Sequence, residues 1–325
     1  MRVAIEDCIM QKGEIVTAGS KILSGFVGSF DAAVVEKMKA AGISLVGVVP
    51  MDEFGLESDD GNSKSGAVAA VADGTADCVL CNDVWGAVSR AAAESGLCYI
   101  RPTYGTVSRY GLIQIVSSMD QIGIVCKNPT DGYKLLEVIA GNDSRDGAML
   151  ADSFAAESGE VRLAACGVDL PSAKEIKFAC EEQSETVRQV LGYAELCNNT
   201  NRYDGIKFGY RTANYVGIND VYVNTRSEAF TKETKLAVIM GGMVLSQGNY
   251  EQYYEKAMKI RRVIKESVDF NGYDVLALTA GHALPVLTGL PSLTASIGGR
   301  GVQLVANVKN ENALLGAWEV LCREV

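Results

Sequence analysis

Two short stretches carry the residue types from which a serine-based active site is built. Residues 60–74 read DGNSKSGAVAAVADG, and residues 81–90 read CNDVWGAVSR. The first sets Ser63 beside Lys64 in a Gly/Ser turn ahead of an Ala/Val run, so a hydroxyl and an amine stand at the start of a helix. Helix starts of this kind bring several backbone N–H groups to one point, which suits an anion or an oxyanion. A serine hydroxyl attacks well only when a neighbouring base takes its proton, and Lys64 is the adjacent candidate. The same residues also fit an ordinary turn, with Ser63 capping the helix and Lys64 solvated. The second stretch repeats the turn-then-helix form through Asp83, Val84, Trp85 and Gly86, but alanine stands at 87, where a nucleophile would be expected. Ser89 follows two residues later, and on a helix that is a rotation of about 200°, which points it away.

Other chemistry has little material. The single histidine, His282, reads as structural, and nine cysteines without C-x-x-C pairs would have to build a zinc site from distant thiols. No cofactor or metal is expected. The cysteines read as small buried apolar residues, reduced in a cytoplasmic protein.

These side chains have to be carried by a scaffold, and the hydrophobic pattern describes one. Short apolar runs alternate with helical patterns through the first half: VAIEDCI, then DAAVVEKMKAAG, ISLVGVV, GAVAAVADG and CVLCND. In DAAVVEKMKAAG, Asp31 is the predicted N-cap, Val34, Val35 and Met38 share one face, and Gly42 closes the helix. The alternation predicts an α/β sheet covered by helices. From about 165 to 270 the pattern is helix-rich. PSAKEIKFACEEQSETVRQVLGYAELC reads as a helix with Pro171 near its start, and YEQYYEKAMKIRRVIKESVDF places Tyr254, Met258, Val263 and Ile264 at helical spacing. YDVLALTA and GVQLVANV return to strands, and NALLGAWEVLCREV ends the chain as a helix. Residues 1–325 therefore read as a single domain with a helical excursion, since no repeat, low-complexity tract or Pro/Gly/Ser linker divides them.

Composition narrows the function classes. The 325 residues are 48% apolar and 22% charged, with a formal net charge of −10. That balance disfavours a broadly basic nucleic-acid surface, so direct nucleic-acid binding is not expected. The longest apolar runs, such as LAVIMGGMVL at 236–245, fall well short of the ~20 residues that span a bilayer. MRVAIEDCIMQKG lacks the n-region and h-region of a signal peptide. A soluble, cytoplasmic protein with no membrane partner is the expectation.

Longer text connects these pieces. KGEIVTAGSKIL, FDAAVVEKMKAAG, MDEF, RPTYGTVSRYGLIQIVSSMDQIG, LLEVIAGNDSRD, RYDGIKFGYR and TRSEAFTKETKLAVIMGGMVLSQGNYEQYYEKAMKIRRVIK occur in this order, and together they resemble the amidase signature family. The resemblance runs from residue 3 to the end. It implies a mixed central sheet covered by helices, and amide cleavage by a Ser-Ser-Lys triad: a lysine base on an early strand, a relay serine in a glycine-rich loop, and an attacking serine after a D-x-G-G turn.

Carried over residue by residue, the triad is broken. The lysine position is Glu6, the relay serine is Ser63, and the attacking position is Ala87. Val84, Trp85 and Gly86 fill the oxyanion turn, with tryptophan replacing one glycine. Alanine has no nucleophile, and an ionised glutamate is an acceptor of reversed charge. The resemblance also implies substrate contacts at Tyr203 and Arg226, the arginine matching one that pairs with a ligand carboxylate. On their own, Tyr203 is equally a core residue, and Arg226 equally a partner of Glu228.

Relative to the family, the segments after MDEF and after YDVLALTA are shortened, the second removing an acidic residue used on the substrate amino group. Two readings follow. The first is an amidase-fold pseudoenzyme that binds an amino acid, a small amide or a protein partner. The second is an active amidohydrolase or amidotransferase subunit with a site rewired onto Ser63 and Lys64. Family members that serve as amidotransferase subunits work with protein partners. Here either such partners or self-association through newly exposed apolar surface is expected.

Overall fold

The computed structural model describes residues 1–58, 65–150, 161–170 and 173–324. The strands are β1 (Arg2–Glu6), β2 (Ser44–Val49), β3 (Cys78–Asn82), β4 (Cys98–Arg101), β5 (Ile122–Cys126), β6 (Leu163–Ala165), β7 (Lys174–Glu175), β8 (Val275–Thr279), β9 (Ser292–Ile297) and β10 (Arg300–Ala306). They form one mixed sheet in the order β2-β1-β3-β5-β4-β9-β10-β8-β6-β7. The pairs β1/β2, β1/β3, β6/β7 and β6/β8 are parallel, and the pairs from β3 through β5, β4, β9 and β10 to β8 are antiparallel. Because β4 pairs with β9, the sheet is continuous between the two halves of the chain.

The helices are α1 (Ala33–Ala40), α2 (Gly66–Ala72), α3 (Ala87–Glu94), α4 (Pro129–Ile139), α5 (Ser184–Thr200), α6 (Ile218–Ala229), α7 (Lys232–Leu245), α8 (Lys256–Ser267), α9 (Leu284–Thr288) and α10 (Glu311–Glu324). Side-chain alternation explains why they cover both faces. Val3, Ile5, Cys78 and Leu80 point into the larger core, which also takes Val34, Val35 and Met38 of α1, and Leu135 and Leu136 of α4. Ala4, Val79 and Cys81 point the other way, against Ala67, Val71, Val88 and Ala92 of α2 and α3. Both faces being covered, β1 and β3 read as continuous apolar runs.

Three helix expectations need correction. Asp31 does not cap α1. Its carboxylate accepts from the Lys12 N–H at 2.9 Å and pairs with Lys39 at 2.6 Å, leaving Ala32 at the cap position without a side-chain bond. The long helix expected from Pro171 begins only at Ser184: Lys174 and Glu175 pair with β6, Cys180 has φ +59°, and Pro171 lies outside the described residues. In the helix around 250–267, Met258 and Val263 are exposed, and the buried residues are Ala257 and Ile264. A π-type turn over Tyr250–Glu255 precedes α8 and rotates the following face relative to a regular helix. Among the described residues no helix is long and apolar enough to cross a membrane.

Candidate functional site

The parallel pairing of Ile5 with Leu80 brings the ends of β1 and β3 together. Glu6, the last residue of β1, is 1% exposed and accepts the Asn82 N–H at 2.9 Å. The Cys8 thiol lies 3.5 Å from the same carboxylate oxygen. Burial raises the Glu6 pKa to about 8, the nearby Asp83 and Asp52 charges add to this, and the two hydrogen bonds oppose it. At neutral pH the group is therefore mainly a neutral acid. A protonated carboxyl cannot take a proton from a nucleophile.

From Asn82 the chain turns through Asp83–Gly86 into α3. The Asp83 carboxylate accepts the Ser89 N–H at 2.8 Å, the Asp83 carbonyl accepts from Arg101 at 3.1 Å, and the Ser89 hydroxyl donates to the Gly86 carbonyl at 3.1 Å. Ser89 is thus committed to bracing the turn. Gly86 has φ +78°, and a Cβ there would lie 2.5 Å from the Gly281 carbonyl, so only glycine fits. Ala87 opens the helix as a buried methyl. Ser63 and Lys64 lie outside the described residues.

Trp85 packs across the turn. Its indole N–H donates to the Phe54 carbonyl at 3.1 Å, and its ring is tilted against Tyr193 with centroids 5.5 Å apart. The ring tip occupies the volume over Gly192 of α5. The indole is wedged between α5 and the 53–55 turn.

MDEF, residues 51–54, runs into that turn, and the hydrogen bonds of Glu53 show what it ties together. Buried Glu53 accepts from the Thr231 N–H at 2.8 Å and the Thr231 hydroxyl at 2.7 Å, and from the Ser20 hydroxyl, tying the turn to the start of α7. Phe54 stacks on Tyr203 with centroids 6.3 Å apart and meets Phe230 edge-on at 6.2 Å. Asp120 of SSMDQIG accepts from Asn82 Nδ2 at 2.9 Å and from the N–H groups of Ile115 and Val116 at 3.0 Å, which anchors the residue beside the turn. Burial raises its pKa, and these hydrogen bonds act against that.

Tyr203 is buried and stacked on Phe54, and it lines a cavity of about 710 Å³ together with Arg109 and Asp120. Arg226 does not pair with Glu228, which instead accepts from the Tyr210 and Thr212 hydroxyls at 2.7 Å each. Its guanidinium donates to the carbonyls of Thr200 at 3.0 Å and Tyr203 at 3.3 Å, where α5 ends, and lies over the Phe230 ring. His282 accepts the Leu284 N–H at 3.0 Å and meets Phe178 edge-on, a local structural role. Cys81 and Cys98 are buried free thiols with raised pKa values, because burial disfavours the thiolate.

A cleft of about 490 Å³, bordered by Leu56, Trp85, Arg90, Glu185, Arg188 and Tyr193, lies outside most of the residues singled out in the sequence. Arg188 sits on the buried stripe of α5, with Ser184, Val187 and Leu191. A cation at a helical core position was the available signal.

A family model described as Amidase matches residues 1–68, 57–165 and 154–297. The chain belongs to the amidase signature family. It is similar to the A subunit of glutamyl-tRNA(Gln) amidotransferase from Lachnoclostridium phytofermentans, 35% identical over 324 residues, covering 84% of this chain and 66% of that protein. The Lachnospira eligens protein of the same name is 32% identical over 393 residues, covering 97% of this chain and 82% of its own length. Against the first of these the chain spans just under two thirds of the relative's length. Among solved structures, the glutamyl-tRNA(Gln) amidotransferase A subunit from Thermotoga maritima superposes with TM-score 0.74 at 25% identity, over 97% of this chain and 81% of that one. A peptide amidase bound to chymostatin gives TM-score 0.77 at 19% identity, over 99% and 83%, a likeness of fold alone. The amidase-signature architecture expected from the motifs is thus the observed one.

Proposed function

We propose that this chain is an amidase-signature pseudoenzyme, which has kept the scaffold and acts by binding rather than by amide hydrolysis. The observation that carries this is the turn entering α3: Asp83 and Ser89 brace it, yet it presents the methyl of Ala87 with the indole of Trp85 beside it. Acyl transfer by this family's route needs a hydroxyl, a base and open N–H groups at that point. Glu6 in the base position is a buried, mainly neutral acid, and it adds to the same reading. Triad members act as a unit, so loss of two removes most of the catalysis.

The expected ligand is an amino acid, a small amide or a molecule of related size. Purified protein incubated with glutamine, asparagine and aryl amides should release ammonia or amine no faster than buffer does. Sustained turnover would overturn the reading in favour of a rewired site.

A protein interface has its own support. On α7, Leu236, Ile239, Met240 and Met243 form an exposed apolar stripe at helical spacing. We propose that a second copy of the chain covers it, because an uncharged stripe can pair with itself without opposing like charges in a protein of net charge −10. Light scattering should then give a dimer at micromolar concentration that Ile239→Lys disperses. A wild-type monomer would contradict it.

A further inference from the structure

We propose that the cleft between α3, α5 and α7 is a carboxylate-binding site anchored by Arg188, taking a small acid with an aromatic or aliphatic body. This rests on the binding reading above and names the ligand chemistry for it.

Arg188 is 3% exposed. Its Nη1 donates to the Gly281 carbonyl at 3.2 Å, and its Nη2 to Glu185 at 2.5 Å. Its Nε is buried and has no acceptor. Nε and Nη2 share one edge of the planar guanidinium, the edge that grips a carboxylate with two parallel hydrogen bonds. Glu185 engages only half of that edge, and its side chain is 51% exposed. A buried charged group with an orphaned donor is costly, whereas a half-exposed glutamate can return to solvent at little cost. A ligand carboxylate bridging Nε and Nη2 would satisfy both donors and displace Glu185 into water.

A second observation points to an anion. The guanidinium is pressed against the start of α3, so closely that a Cβ on Gly86 would lie 3.0 Å from Nη1. The positive end of the helix dipole and an arginine are of like sign, and a bound anion relieves their repulsion. The nearest carboxylate on that turn, Asp83, is already taken by the Ser89 N–H. Arg90, on the rim, is paired with Glu57 at 2.5 Å. The rest of the lining sets Leu56, Leu236 and the tilted pair of Trp85 and Tyr193 beside Gln189, Lys232 and Glu233. A charged anchor beside aromatic faces selects an acid with an apolar body.

The test is calorimetric titration of the full chain with phenylacetate and its neutral isostere phenylacetamide. Phenylacetate should bind, and phenylacetamide should bind about tenfold more weakly or not at all. Arg188→Gln should cost about tenfold in phenylacetate affinity, the loss of a two-pronged charged contact. Glu185→Gln should tighten binding, because it removes the internal competitor, an effect that a merely structural Arg188–Glu185 pair would not give. Equal binding of acid and amide, weaker binding in Glu185→Gln, or no heat at millimolar phenylacetate would each overturn the site. If Arg188→Gln fails to fold, the acid–amide comparison and Glu185→Gln decide alone. Conversion of phenylacetamide to phenylacetate would contradict the absence of hydrolysis and leave the acid preference standing, so the two proposals fail separately.

Discussion

The indole of Trp85 lies where any side chain on Gly192 would have to go: a Cβ at 192 would meet Cη2 at 2.5 Å and Cζ3 at 2.7 Å. The two positions, more than a hundred residues apart in sequence, are therefore a matched pair. The tryptophan is accommodated because α5 has no side chain where the ring passes.

That pairing has a measurable coupling. Gly192→Ala should destabilise the wild type by about 1–3 kcal/mol, since the ring is held by its bond to Phe54 and cannot easily retreat. In a Trp85→Gly background the same change should stabilise by about 1 kcal/mol, the ordinary helix preference of alanine over glycine. A double-mutant cycle by urea unfolding measures the difference. Additive effects would mean that the ring and the helix do not constrain each other.

Glu6 makes stability depend on pH. Its folded pKa of about 8 lies above the ordinary value of 4.5, so the native state holds a proton that the unfolded chain releases. Its contribution is fully present below about pH 4.5 and is lost as pH rises toward 8. Glu6→Gln keeps an acceptor for Asn82 and Cys8 but cannot ionise. The variant should be the more stable by roughly 3 kcal/mol at pH 7, with the difference closing near pH 4.5. Denaturant midpoints across that range check this, and a constant difference would refute it.

Rebuilding the triad should fail as well. In Glu6→Lys/Trp85→Gly/Ala87→Ser, the new ammonium would meet the Asn82 N–H, donor against donor, inside the core. The triple variant should unfold at lower temperature than the wild type and release no more ammonia from glutamine. Recovery of turnover would show that the surrounding pocket is intact.

Arg226 should matter for stability through the end of α5. Its bonds to the Thr200 and Tyr203 carbonyls place a cation on the negative end of that helix. Arg226→Ala should cost about 1–3 kcal/mol of unfolding free energy. An unchanged unfolding midpoint would return Arg226 to the pool of free ligand contacts.

The strands β1, β3, β8 and β10 are legible in the sequence because buried strands are short apolar runs between turn residues, and the largely exposed edge strand β2 is legible from its valines. So is the burial of Val34, Val35 and Met38 on α1. The segment before Ser184 reads as helix because its residues favour one locally, while pairing with β6 and the left-handed Cys180 are tertiary facts. That Glu6 and Ala87 stand where the family resemblance implies a lysine and a serine is visible in the sequence, because residue types need no packing to be read. The role of Arg226 is not, since whether a guanidinium faces a ligand or backbone carbonyls depends on where α5 ends. Arg188 escapes sequence reading because its orphaned Nε exists only once α5 is packed against the α3 turn.

Loss of amide hydrolysis is decided by ammonia or amine release from glutamine, asparagine and an aryl amide, with wild type and Ser63→Ala compared side by side. Both proteins should be indistinguishable from buffer. Turnover in the wild type that Ser63→Ala abolishes would contradict the pseudoenzyme reading.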